Sequence, residues 1–112
     1  MSISLDNIKM TVIETAANGV VNSETIFDFR QTKDFVMAEY KGGRIKKGLL
    51  AGILNGNELK FRYYQLQTDN KFDKGVSSCQ LSADDNGKIR LIEHFEWKSR
   101  PGERGTNVFE EI

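Results

Sequence analysis

Apolar and polar residues alternate along most of this chain. Leu59, Phe61 and Tyr63 alternate with Lys60 and Arg62, and Ile89, Leu91, Phe95 and Trp97 alternate with Arg90, His94, Glu96 and Lys98. A period of two is the signature of half-buried β-strands. Turn signals separate the runs: Asn18-Gly19, Thr32-Lys33-Asp34, Gly42-Gly43, Asn55-Gly56, Asp69-Asn70-Lys71, the stretch Asp84-Asp85-Asn86-Gly87, and Arg100-Pro101-Gly102. They predict eight strands, over residues 7–15, 23–30, 35–41, 44–54, 58–67, 72–83, 88–99 and 106–112. Pro101 falls in a turn and interrupts no ladder. A helix fits only in the short segments 14–22 and 99–105. The expected fold is all-β: one domain over residues 1–112, an eight-stranded antiparallel up-and-down meander closed into a barrel, which leaves no exposed edge.

Turn lengths assign faces. A two-residue loop at Gly42-Gly43 pairs Lys41 with Arg44, Glu39 with Lys46, Met37 with Gly48 and Phe35 with Leu50. A similar loop at Asn55-Gly56 pairs Gly52 with Leu59, Leu50 with Phe61 and Gly48 with Tyr63. The face holding Phe35, Met37, Glu39, Lys46, Gly48, Leu50, Gly52, Leu59, Phe61, Tyr63 and Gln65 is then interior. Val36, Ala38, Tyr40, Ile45, Leu49, Ala51 and Ile53 fall outside, a patch that predicts a homodimer interface. The reverse assignment puts those seven in the core and leaves Glu39 and Lys46 in solvent. The segment 84–87 suits a type I turn with Gly87 in the left-handed bulge position, setting Leu81 beside Leu91, Cys79 beside Glu93 and Ser77 beside Phe95.

Composition narrows the function classes. Sixteen basic residues balance sixteen acidic ones, so the chain lacks the basic excess of a nucleic-acid or anionic-membrane binder. The single Cys79 forms no intramolecular disulfide, and the first ten residues lack the apolar run of a signal peptide. No stretch reaches the ~20 apolar residues of a membrane helix. These features predict a cytoplasmic protein.

Glu93 is the most informative single residue. A carboxylate among Leu91, Phe95 and Trp97 must be hydrogen-bonded, paired or protonated. It either orients a ligand or bonds inward-facing hydroxyls such as Tyr63. Glu39 opposite Lys46 reads as a rim ion pair, and Glu39 with Glu93 as a less favoured acid/base pair. His94, the only histidine, sits on the polar face of its strand. A two-residue turn would set it opposite Cys79, but with no oxyanion site and too few ligands for a metal. No catalytic or metal-ligating residue is expected, and no cofactor. Gly48 and Gly52 either let the barrel bend or leave room beside Tyr63. The run Phe61-Arg62-Tyr63-Tyr64 is similar to base-stacking surfaces, without the charge to go with it.

The segments Ser23-Glu24-Thr25-Ile26-Phe27 and Ala38-Glu39-Tyr40-Lys41-Gly42-Gly43, the run Gly87-Lys88-Ile89-Arg90-Leu91 with Glu93 and Trp97, and the terminal Glu110-Glu111-Ile112 resemble a family of small bacterial cytosolic proteins. The resemblance covers nearly the whole chain. It implies an avidin- or lipocalin-like barrel, and members often carry the label N-acetylglutamate synthase. Acetyl-CoA-dependent synthases cradle the cofactor pyrophosphate on a helix N-terminus behind a glycine-bearing loop. The nearest segment, residues 44–52, reads instead as a strand with no helix after it.

The leading expectation is a barrel that binds a small, partly apolar molecule in its open end. Phe27, Met37, Tyr63, Phe95 and Trp97 would supply apolar contact, and Glu39, Gln65 and Glu93 would orient polar atoms. A non-catalytic dimeric interaction module is the alternative, and an acetyltransferase acting on glutamate is the third.

Overall fold

The computed structural model describes residues 3–112; Met1 and Ser2 lie outside the described residues. The eight strands are β1 (Ile8–Glu14), β2 (Ile26–Thr32), β3 (Phe35–Gly42), β4 (Ile45–Asn55), β5 (Glu58–Gln67), β6 (Phe72–Ala83), β7 (Ile89–Trp97) and β8 (Arg104–Glu111). They form a closed antiparallel barrel in sequence order, β8 returning to pair with β1 through Val12–Phe109 and Met10–Glu111. Closure satisfies the edge groups that an open sheet would leave unpaired.

The expected strands are present, each within a few residues of its predicted ends. β2 starts three residues later than expected because Asn22 and Thr25 close a turn before it. The Glu24 amide donates to Asn22 Oδ1 (2.9 Å), the Asn22 amide donates to Thr25 Oγ1 (3.1 Å), and Thr25 Oγ1 donates to the Gly42 carbonyl (3.1 Å). The β6–β7 connection matches expectation throughout. Gly87 has φ 81°, its amide donates to the Asp84 carbonyl, and Leu81–Leu91, Cys79–Glu93 and Ser77–Phe95 are partners.

The β3–β4 register departs from expectation by three residues. The turn lies one residue later, which shifts the pairing by two and keeps the faces, and one extra residue in β4 exchanges them. The turn is Gly43-Arg44, with Gly42 paired to Ile45. Two residues further along β3, Tyr40 pairs with Gly48, three residues along β4. The surplus sits at Lys46-Lys47, where both side chains are exposed, and the ladder to β5 skips at the same place. A β-bulge of this kind turns the strand over, so the faces beyond it exchange relative to the neighbour.

The exchange corrects part of the face assignment. Val36, Ala38, Tyr40 and Ile45 are core residues, between 0% and 3% exposed, not part of an outer patch. Leu49, Ala51 and Ile53 do face outward, joined there by Phe35, Met37 and Glu39, which had been placed inside. Lys46 does not meet Glu39; Lys47 Nζ does, at 3.2 Å on the outer surface. The Asn55-Gly56 loop is shifted by one residue, to Gly56-Asn57, but Leu50, Leu59, Phe61, Tyr63 and Gln65 keep their expected inward face.

The barrel interior has two halves. The lower end carries the β2–β3, β4–β5 and β6–β7 turns and is filled by apolar side chains, including Val36, Leu54, Leu59, Leu81 and Leu91. The segment before β1 closes it: Leu5 is fully buried and its amide donates to Gln31 Oε1 (2.8 Å). The upper end carries the other connections and holds the buried polar residues among those described: Thr25, Gln65, Gln67, Asp73, Ser77, Glu93 and Asn107.

Candidate functional site

The upper half encloses a cavity of about 30 Å³. Aromatic side chains are seven of its fourteen lining residues. Phe27 stacks on Tyr40 at 4.4 Å between centroids, and Trp97 meets Tyr63 and Phe95 edge-to-face at 5.7 and 5.5 Å. Two glycines make these positions possible. A Cβ on Gly48 would run into the Tyr40 ring, and one on Gly75 into the Tyr63 hydroxyl. Gly48 therefore leaves space for a side chain of this protein. Gly52 serves close backbone approach, since a Cβ there would strike the Lys60 carbonyl and Phe61.

Glu93 sits in the wall of this cavity and is 5% exposed. Its Oε2 accepts from Ser77 Oγ (2.6 Å) and its Oε1 from Asn107 Nδ2 (3.0 Å). Burial raises its pKa, and the two hydrogen bonds only partly offset that. Tyr63, named from the sequence as a partner for Glu93, is not bonded to it. Asn107 is the partner the sequence reading missed, and it has a second role. Its Oδ1 accepts from Thr15 Oγ1 (3.0 Å) and from the Ala16 amide (3.1 Å). It thereby ties the β1–β2 connection to the buried carboxylate. That connection lays Gly19, Val20 and Val21 over the cavity, with both valines buried.

Three polar atoms in the wall have no partner among the described residues: Tyr63 Oη, Gln65 Nε2 and Trp97 Nε1. All can donate, and all are buried. Tyr40 Oη donates to Gln65 Oε1 (2.8 Å), which turns the amide nitrogen of Gln65 to its free position. Burial, then the nearby charge of Glu93, pushes both tyrosine hydroxyls well above their ordinary pKa, so they stay protonated donors. Leaving a buried donor unpaired costs about 1–3 kcal/mol.

Beside the cavity, Asp73 closes the upper end. It accepts from Arg100 through Nε (3.2 Å) and Nη2 (2.5 Å), from Ser99 Oγ (2.6 Å), and from Gln67 Nε2. Burial would raise its carboxyl, but these bonds and the Arg100 charge outweigh it and hold the pKa below the ordinary carboxylate value. Arg100 also lies over the Trp97 ring, 4.6 Å from the centroid. Asp73 and Arg100 gave no signal in the sequence because Asp73 lies at the start of β6 and Arg100 on the β7–β8 connection, far apart in the chain.

Of the residues expected to contact a ligand, Phe27, Tyr63, Gln65, Glu93, Phe95 and Trp97 line the cavity together. Met37 and Glu39 do not. Both point outward from β3, for the bulge reason given above, so Glu39 and Glu93 lie on opposite faces of the barrel wall. His94 is exposed, with Nδ1 3.1 Å from Thr106 Oγ1, while Cys79 faces the core. The two therefore lie on opposite faces as well. Tyr40, expected on the outer interface patch, lines the cavity instead, and Asn107 and Phe109 line it without having been singled out.

A closed eight-stranded meander barrel either fills its interior with side chains or holds one small ligand. The model of the family described as "Avidin-like protein" matches residues 3–112, and the chain belongs to that family. No curated protein and no solved structure matches the chain.

Proposed function

We propose that this barrel binds a small, partly apolar molecule in its upper cavity. The observation that carries the reading is an aromatic-lined cavity at one end of the barrel whose lining residues include the buried polar side chains Gln65, Glu93 and Asn107. Apolar walls with a few placed polar groups are the usual make-up of a ligand site. Phe27, Phe95 and Trp97 provide apolar contact, and Tyr63, Gln65 and Glu93 orient polar atoms. Native mass spectrometry of protein purified from its own host tests this: a retained small molecule, lost in Gln65→Met, is expected. Ligand-free protein in every preparation, with Trp97 fluorescence unmoved by a metabolite panel, would overturn it.

A second reading concerns the outer face, and the corrected register supports it. Phe35 pairs with Ile53, Met37 with Ala51, and Leu49 with Tyr64, which join into one exposed apolar strip across β3, β4 and β5. Phe35, Met37, Leu49, Ile53 and Tyr64 are each 43–52% exposed. Strips of this kind mark interaction sites, and a two-fold contact is the commonest way to cover one. We assign the strip to a homodimer, checked by sedimentation at tens of micromolar. The cytoplasmic location belongs to the same proposal; fractionation of the host cell tests it.

A further inference from the structure

Three asparagines in this chain are followed by glycine: Asn18-Gly19, Asn55-Gly56 and Asn86-Gly87. Such a pair can react with itself, because glycine puts no side chain in the way of its own nitrogen. The glycine amide nitrogen, on losing its proton, attacks the carbonyl carbon of the asparagine side chain. A new C–N bond forms, the bond to the side-chain nitrogen breaks, and that nitrogen takes up the proton and leaves as ammonia. Water then opens the cyclic imide at one carbonyl or the other, giving aspartate or isoaspartate. The reaction needs a glycine amide that is not already donating and a side chain with room to turn toward it.

Two of the three pairs lack these conditions. The Gly19 amide donates to the Ala16 carbonyl (2.9 Å), and Asn18 Nδ2 donates to the Arg104 carbonyl (3.1 Å). A Cβ on Gly19 would strike Thr15 Oγ1, so the space around this pair is also filled. The Gly87 amide donates to the Asp84 carbonyl (2.9 Å). Asp84 Oδ1 holds the residues on either side of Gly87, accepting from the amides of Asn86 and Lys88 (2.9 Å each). Gly56 differs. Among the described residues its amide donates to no backbone carbonyl, and no atom outside its own chain neighbours lies within 4 Å of where its Cβ would stand. Asn55, Gly56 and Asn57 are all exposed.

We propose that Asn55 is the site of spontaneous deamidation in the folded barrel, a modification that the β4–β5 turn permits and the other two turns suppress. The products act on the lower end, away from the candidate cavity, so the proposal does not depend on a ligand. Asn55 pairs with Glu58, and aspartate there sets two carboxylates opposite each other. Isoaspartate lengthens the main chain by a methylene just before the two-residue loop. It does so beside the buried Leu54 and Leu59, where the register of the hairpin holds apolar residues inward.

The full chain is aged in warm, mildly alkaline buffer, sampled over time and digested. Mass spectrometry follows the three Asn-Gly peptides and separates aspartate from isoaspartate. A parallel sample is aged in concentrated urea. In the folded protein Asn55 is expected to convert faster than Asn86 by roughly two- to tenfold, the range of one hydrogen bond that must open first. Its lead over Asn18, where two bonds must open, is expected to be larger. In urea the three rates converge, because the chain no longer distinguishes the pairs. Asn18 or Asn86 converting as fast as Asn55 in the folded protein overturns the proposal. So does an Asn55 that stays intact when folded while it converts in urea, or a lead for Asn55 that is undiminished in urea.

Discussion

The two halves of the barrel interior are built on different terms. Below, Val36, Leu54, Leu59, Leu81 and Leu91 fill the space between strands with side chains that ask nothing of one another but contact. Above, Tyr40, Gln65, Glu93, Ser77 and Asn107 occupy the same kind of inward position but depend on partners. The lower half gains about 1.5–3 kcal/mol for each large apolar side chain it buries. The upper half gives up part of that gain to hold polar groups out of water, three of them without a partner among the described residues. Apolar packing and buried polar pairing are thus divided along the barrel axis.

The division is most directly broken from below. Leu91 is fully buried, and Leu91→Ala should destabilise by about 2–5 kcal/mol through lost burial and a cavity. Denaturant unfolding measures it; a loss no larger than that of Gln65→Met would mean that the halves do not differ.

At the upper rim, Asp73→Ala should cost on the order of 3 kcal/mol, since it strands Arg100, Ser99 and Gln67 together. Thermal melts across pH sharpen the point. The lowered pKa of Asp73 means that its contribution is present above the unfolded carboxylate value and is lost as pH falls through the folded one. Asp73→Asn should remove that acid-side loss.

Glu93 has the opposite sign. Its raised pKa means that stability is fullest below the unfolded value and declines as pH rises through the folded one. Glu93→Gln should therefore be neutral or stabilising at pH 7 and flatten that slope. Glu93→Ala, which strands Ser77 and Asn107, should destabilise by about 1–3 kcal/mol. Equal melting temperatures for the two variants would contradict this account.

The smallest effect on folding is expected outside. Leu49→Lys should change stability by no more than about 0.5 kcal/mol while shifting sedimentation toward monomer. Wild-type protein that sediments as a monomer at tens of micromolar would remove the outer strip from the interface reading.

The strands and turns were legible because each rests on local chemistry: alternation in β5 and β7, left-handed glycine at Gly87, and proline confined to a turn. The Cys79–Glu93 pairing was legible for the same reason, since one turn type sets it. The face of β3 was not, because it hangs on a bulge. Ile45 and Gly48 both point inward with two lysines between them, a break in alternation that the sequence does contain. Reading it required knowing that both lysines stay in solvent, which depends on the strands on either side.

What the sequence by itself determined is the number of strands, their order and the inward face of most of them, because period-two patterning and turn residues act over a few positions. Tertiary structure alone decided which partners surround the candidate site. Asn107 reaches Glu93 and Ala16 across a strand pair and a connection, Arg100 meets Asp73 and Trp97 across the upper rim, and Tyr63, Gln65 and Trp97 converge only when the barrel closes. Those contacts join residues far apart in the chain, and no local preference encodes them.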